Sequence, residues 1–139
     1  LKGEKMFDRL NDQLVKALLE TVPYELTVID HNDEVIGWNQ HETRLFKRPM
    51  GTLGVNFRQC HPQSSLAKVE QIVTEFKEKK RDKGRFWIQL PLGPGGQKQM
   101  VLIEFFALRD ETGKYLGCLE CTRNVEDIRQ LQGEQRLMN

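Results

Sequence analysis

Two pairs of residues in this chain have the chemical types that catalysis or metal binding requires. Cys60 and His61 are adjacent and precede Pro62, and Cys118 and Cys121 form a C-x-x-C motif. A thiolate and an imidazole can act as nucleophile and base, and sets of such side chains bind zinc. Whether either pair does so depends on the secondary structure that positions it.

The C-x-x-C motif lies in a segment predicted to be a strand, residues 115–123. Side chains alternate along a strand, so residues three positions apart point to opposite faces. Cys118 and Cys121 are therefore expected neither to chelate one metal ion nor to face each other, and the sequence has no second cysteine pair. We predict that both cysteines are structural and expect no metal site.

The Cys60–His61 pair leaves several interpretations open. Adjacent residues seldom form a nucleophile–base pair, and a catalytic thiol needs a base that a third group orients. Pro62 disfavours helical angles at His61, so His61 is predicted to be extended, in a crossover from which it can turn into a cavity. There it would hold the crossover by bonding backbone groups, contact a ligand, or ligate a haem iron.

The composition excludes several classes of function. The 139 residues suit one domain, and 21 Lys and Arg against 20 Asp and Glu give a net charge of +1, which does not favour nucleic acid or an anionic membrane. Apolar runs of about four residues are too short to span a membrane. Three cysteines indicate free thiols in a reducing cytoplasm. Because the chain begins at Leu1, we expect a fragment of a longer protein.

Helices are predicted where apolar residues recur three and four positions apart. The first ends before Pro23 and has an apolar stripe formed by Met6, Leu10, Leu14, Ala17 and Leu18. The clearest helix follows Pro62 with Ser64 or Ser65 as its N-cap, and its stripe is Leu66, Val69, Ile72, Val73 and Phe76. A final helix follows Asn124 as its N-cap, and short helical turns are expected around residues 43–47 and 55–59.

Strands are predicted where apolar and polar residues alternate, at residues 24–30, 34–39, 86–92, 99–109 and 115–123. Turn residues join the first strand to the second and connect the last three, so these neighbours pair antiparallel, since parallel pairing needs long crossovers. The fourth strand is apolar on both faces, as a central strand is. The fold class is therefore α+β, an antiparallel sheet with helices packed on one face.

Several stretches are also similar to a known family. They are "VPYELTVIDHNDEVIGWNQ", "CHPQSS", "FWIQL" and "LRDETGKYLGCLECTRNVEDIRQLQGEQRL". They resemble the PAS-like module at the C-terminal end of bacterial and archaeal proteins that carry a hemerythrin-type HHE cation-binding domain. The resemblance covers residues 21–137. It implies an N-terminal amphipathic helix at 1–22, a PAS-like sensory core at 23–124 and a C-terminal helix at 125–139.

The resemblance implies a five-stranded antiparallel sheet whose concave face holds a small ligand, and flanking helices that dimerise or relay signals. We therefore predict a non-enzymatic sensory module that binds a small ligand or forms a homodimer, beside a hemerythrin-type domain in the full-length chain. The expected ligand contacts are His61, Cys60, Phe86, Ile88, Ile103 and Phe105, with His61 orienting the ligand. The alternative is a small enzyme that uses the Cys60 thiol or the His61 imidazole.

Overall fold

The computed structural model describes residues 3, 5–41 and 44–138. Its strands are β1 (Glu25–Asp30), β2 (Val35–Trp38), β3 (Lys83–Leu90), β4 (Gln99–Arg109) and β5 (Tyr115–Asn124). They form one five-stranded sheet in the order β2-β1-β5-β4-β3, and every neighbouring pair is antiparallel. The predicted α+β class, the first hairpin and the meander of the last three strands are confirmed.

The helices are α1 (Asp12–Thr21), α2 (Gln63–Lys77) and α3 (Glu126–Arg129), with two single-turn 3-10 helices at Met50–Thr52 and Phe57–Gln59. α1 begins later than predicted because Asn11 is its N-cap, and the Asn11 side chain accepts a hydrogen bond from the Leu14 N–H at 2.8 Å. Met6 and Leu10 therefore lie outside the helix, and the prediction was wrong for them.

The predicted N-caps of α2, Ser64 or Ser65, were wrong by two or three residues. Pro62, extended at φ −66° and ψ 152°, occupies the N-cap position. Its carbonyl accepts the first hydrogen bonds of the helix, from the N–H groups of Ser65 and Leu66. Helical geometry therefore begins at Gln63, and both candidate serines lie inside the first turn.

Two other helical predictions also differ from the structure. Thr43 lies outside the described residues, and residues 44–47 are not helical. The helix predicted over 125–139 ends at Arg129, and no helix is present in residues 130–138. Gly133 has a φ of 63°, in the left-handed region that stops a helix, and an isolated helix this short gains too few hydrogen bonds to offset its nucleation cost.

The inner face of the sheet, which α2 covers, is apolar on one side and polar on the other. Among the described residues, eleven buried ones form the core between α2 and the sheet: Ile29, Val35, Phe57, Val69, Ile72, Val73, Phe76, Val101, Ile103, Phe105 and Cys118. The central strands β1 and β5 add Glu25, Thr27, Glu120 and Thr122, all at most 6% exposed. These polar residues are paired across the two strands, Glu25 with Thr122 and Thr27 with Glu120.

The outer face of the same strands is apolar and only half-buried. α1 lies beside it, where Val15 and Leu19 line a cleft of about 580 Å³ together with Leu26, Val28 and Leu119. No residue between Asp12 and Thr21 is buried. The apolar stripe of α1 therefore remains largely exposed in a single chain.

The β1–β5 pairing depends on a glycine. A Cβ atom at Gly117 would lie 2.2 Å from the Ile29 carbonyl oxygen, whereas a Cβ atom at Gly37 in β2 would meet nothing within 4 Å. Real Cβ atoms do not approach backbone that closely. Gly37 in β2 therefore has room for a side chain, whereas Gly117 in β5 does not.

We expect Gly117→Ala to lower the free energy of unfolding by about 3 kcal/mol, because the new methyl group forces β5 away from β1. Gly37→Ala is expected to change it by less than about 1 kcal/mol. Urea denaturation of the two variants measures both values. Equal stabilities would contradict the close approach at Gly117.

Candidate functional site

A cavity of about 500 Å³ lies between α2 and the inner face of the sheet. All six predicted contact residues line it: His61, Cys60, Phe86, Ile88, Ile103 and Phe105. The structure adds four charged residues that the sequence analysis missed, Lys47, Arg48, Lys68 and Glu120. The cavity therefore has both an apolar surface and a charged one.

The apolar surface is a floor built by β3 and β4. The rings of Phe86 and Phe105 stack with centroids 6.0 Å apart and an interplanar angle of 23°. Phe86 pairs with Ile103 across the two strands, and alternation places Ile88 on the same face. Such a floor suits the hydrocarbon part of a small molecule.

His61 is fixed by one of its two ring nitrogens. Its Nδ1 lies 2.8 Å from the carbonyl oxygen of Phe57, and since a carbonyl only accepts, Nδ1 must carry the hydrogen. The predicted bond from His61 to the backbone is therefore present. The other nitrogen, Nε2, is buried and has no hydrogen-bond partner among the residues described. In the neutral ring, Nε2 presents a lone pair.

The Nε2 lone pair faces a carboxylate. Glu120 is 6% exposed, and its Oε2 lies 3.5 Å both from Nε2 of His61 and from Nη2 of Arg48. Burial lowers the pKa of His61, but the Glu120 carboxylate and the Phe57 carbonyl outweigh burial and the opposing charge of Arg48. The pKa of His61 is therefore raised above its usual value, and the imidazolium is favoured.

The segment 44–48 closes the polar side of the cavity over β1. Nε of Arg48 and Nη2 of Arg44 each donate to Oγ1 of Thr27 at 2.9 Å. The Glu25 carboxylate accepts hydrogen bonds from the N–H groups of Leu45 and Phe46. The buried carboxylates are thus matched by arginines and backbone donors, as buried charges must be.

The structure does not join Cys60 and His61 into a catalytic pair. The Cys60 thiol donates to the Asn56 carbonyl, with Sγ 3.8 Å from the oxygen, and no hydrogen bond between the two side chains occurs in the described part of the chain. The His61 imidazole is occupied by Phe57 and faces Glu120. A thiolate nucleophile would therefore lack an oriented base.

The C-x-x-C cysteines point to opposite faces of the sheet, as predicted. Cys118 pairs with Ile29 on the inner face and Cys121 with Leu26 on the outer face. Both thiols are free. Burial raises the pKa of Cys121 to about 11 and that of Cys118 far above its usual value, so neither is a reactive thiolate.

The described residues contain neither a grouped set of metal ligands nor a membrane-spanning helix. Within residues 3, 5–41 and 44–138, no three His, Cys, Asp or Glu side chains are grouped so that they could hold a metal ion. None of the described helices is long and apolar enough to cross a membrane.

Comparison with known proteins adds a family and a set of structural relatives. A sequence model described as a PAS domain matches residues 15–126. No curated protein matches the chain. A C-terminal domain from Streptococcus mutans is similar in structure, with a TM-score of 0.77 and 25% identity over 88% of this chain and 91% of that one.

Two further solved structures share the fold at lower identity. The PAS domain of a Colwellia psychrerythraea protein has a TM-score of 0.60 and 14% identity, over 83% of this chain and 97% of that one. VqmA from Vibrio cholerae, solved in complex with a ligand and DNA, has a TM-score of 0.63 and 16% identity, over 94% of this chain and 62% of that one. VqmA has also been solved as a dimer without its target DNA.

The His61–Glu120 contact predicts a pH-dependent stability. The pKa of His61 is higher in the folded chain than the unfolded value of about 6.5. The contact with Glu120 therefore contributes its full stabilisation to the free energy of unfolding only below this unfolded value. It is lost as pH rises through the folded-state pKa. We expect the free energy of unfolding to fall across this window, and the fall to be absent in His61→Gln. Urea denaturation at several pH values measures it, and an identical slope in the variant would refute the contact.

Proposed function

The chain belongs to the PAS domain family, and we propose from this premise that it is a non-enzymatic sensory module that binds a small ligand beneath α2. The observation that carries the proposal is a cavity of about 500 Å³ with an apolar floor and one buried ring nitrogen without a hydrogen-bond partner. Small-molecule sites combine this size with few, well-placed polar groups.

His61 is the group we propose to orient the ligand. Its ring is held by the Phe57 carbonyl, so Nε2 has a fixed direction before any ligand binds. Fixed geometry lowers the entropy cost of binding. The haem interpretation has weaker support, because an iron on Nε2 would need the space that the Glu120 carboxylate occupies and a ring without a proton on that nitrogen.

The alternative, a small enzyme that uses Cys60 or His61, has weaker support. It requires a nucleophile and a base in contact, and the two side chains instead bond to separate backbone carbonyls, those of Asn56 and Phe57. A structure described as a sensory box sensor histidine kinase from Vibrio cholerae shares the fold, with a TM-score of 0.55 and 17% identity. We therefore retain the non-enzymatic function.

We also propose that the module forms a homodimer through α1 and the outer face of the sheet. Leu14 and Leu18 on α1 are 51% and 49% exposed, and Trp87 on the outer face of β3 is 61% exposed. A helix with an apolar face is stable only when that face is buried. The hemerythrin-type domain in the full-length chain remains a proposal that rests on the sequence resemblance.

The ligand proposal predicts that filling the cavity abolishes binding. Ile88→Trp places an indole in the cavity, whereas Gln89→Trp places it on the exposed opposite face of β3. We expect at least about a tenfold loss of affinity, or no co-purified ligand, in the first variant only. Native mass spectrometry, an absorption spectrum for haem, and ligand-observed NMR with a fragment library provide the measurements. The proposal fails if the parent protein binds nothing, or if both variants bind as the parent does.

The dimer proposal predicts that a charge on the α1 stripe separates the protomers. Leu14→Glu should weaken the dimer at least about tenfold while leaving the far-UV circular dichroism unchanged, because it buries an unpaired carboxylate. Gln13→Glu, the neighbouring exposed position, is the control. Sedimentation equilibrium measures both variants. A parent protein that is monomeric at high micromolar concentration would disprove the dimer.

A further inference from the structure

We propose that the cavity selects a small organic carboxylate, and that its binding is coupled to proton uptake at His61. The apolar body of this ligand lies on the floor formed by Phe86 and Phe105, and its carboxylate meets the positive groups around α2. The inference rests on the proposed function, because it names the ligand class and the pH control of the same cavity.

The charges that line the cavity favour an anion. Three cationic side chains, Lys47, Arg48 and Lys68, face a single carboxylate, that of Glu120. Arg48 is already paired with Glu120. Within the described residues, neither lysine has an ion-pair partner. A bound anion would therefore balance charge that the protein leaves unmatched, whereas a bound cation would add to it.

The first turn of α2 strengthens the same preference. This helix of 15 residues begins at the cavity wall, where Ser64 and Ser65 line the space, and no side chain caps its N-terminus. Free N–H groups and the helix dipole attract anions at such a position. The independent sign of a ligand site is His61, whose side chain is 10% exposed and whose Nε2 has no hydrogen-bond partner there.

His61 makes the preference depend on a proton. Because Nδ1 uses its hydrogen on the Phe57 carbonyl, the neutral ring offers only a lone pair at Nε2, which repels a carboxylate. The imidazolium instead offers an Nε2–H donor. Oε2 of Glu120 lies 3.5 Å from Nε2, within ion-pair range but longer than a normal hydrogen bond, so a ligand carboxylate can accept a shorter bond from this donor.

The other groups around His61 do not replace this proton. Arg48, from the segment after β2, opposes the charge on His61 and is directed to Thr27 and Glu120. The Cys60 thiol is bonded to the Asn56 carbonyl, and Lys68 of α2 is exposed at the cavity mouth. At a pH above the His61 pKa, an anion that binds at Nε2 therefore enters together with one proton.

Three compounds with the same phenyl body test the inference: 3-phenylpropionate, its neutral amide 3-phenylpropanamide, and the cation 3-phenylpropylamine. Isothermal titration calorimetry between about pH 6 and pH 8.5 keeps the acid ionised throughout. At about pH 6, we expect the carboxylate to bind at least about tenfold more tightly than the amide. Its affinity should fall by up to about tenfold per pH unit above the His61 pKa, while that of the amide stays constant.

Matched variants locate the effect. Lys68→Gln should weaken carboxylate binding by about three- to fivefold and leave amide binding unchanged, whereas Lys98→Gln, in the β3–β4 connection, should change neither. His61→Gln should remove the pH dependence and the proton uptake, which titrations in buffers of different ionisation enthalpy measure directly. If His61→Gln does not fold, the proton uptake of the parent protein and the carboxylate affinity of Lys68→Gln still test the inference.

The outcomes separate this inference from the proposed function. Equal affinities for carboxylate and amide, tighter binding of the amine, or no proton uptake would overturn the inference and leave a ligand cavity. If none of the three compounds binds while other fragments occupy the cavity, the carboxylate class is wrong and the sensory proposal stands. If no fragment binds, both fail.

Discussion

A carboxylate buried in the middle of the sheet constrains the rest of this structure. Glu120 is 6% exposed, and an isolated charge at such a depth would unfold the domain. Positive groups must therefore reach it, and they come from parts of the chain far apart in sequence, Arg48 and His61, each 3.5 Å away. Their approach brings the segment 44–48 and the start of α2 over the sheet, and the space they leave is the cavity.

The buried polar residues around Glu120 also determine which side chains lie on each face of the sheet. With Glu25, Thr27 and Glu120 turned inward, the apolar residues that alternate with them, such as Leu26 and Leu119, face outward. This outward apolar surface lies beside α1, whose own apolar residues are half-exposed. In our account the polar interior recognises a ligand and the apolar exterior binds a second copy. β5 contributes residues to both faces, so it connects the proposed ligand site directly to the proposed dimer surface.

The sequence predicted the parts of the fold that depend on local pattern. Alternation and turn residues were enough for all five strands and for the pairs β1–β2, β3–β4 and β4–β5, but not for the long-range pair β1–β5. The six residues predicted to contact a ligand line the cavity, and their role in binding stays a prediction. Helix ends were less accurate because they depend on single hydrogen bonds, such as the Asn11 cap of α1 and the Pro62 carbonyl at α2. The sequence analysis missed Glu120 and Arg48 because the two residues are 72 positions apart and come into contact only in the folded chain. The one available signal in the sequence was the position of Glu120, a charged residue in a predicted strand between Cys118 and Cys121.

The central claim is that His61 carries its hydrogen on Nδ1 and directs Nε2 toward Glu120 and the cavity. Two-bond ¹H–¹⁵N NMR of the histidine rings, followed as a function of pH, measures the tautomer and the titration of this residue together. The account predicts the Nδ1–H tautomer at high pH and a His61 pKa above the usual value of about 6.5, returned toward it in Glu120→Gln. An Nε2–H tautomer, or a His61 pKa at or below the usual value, would contradict it.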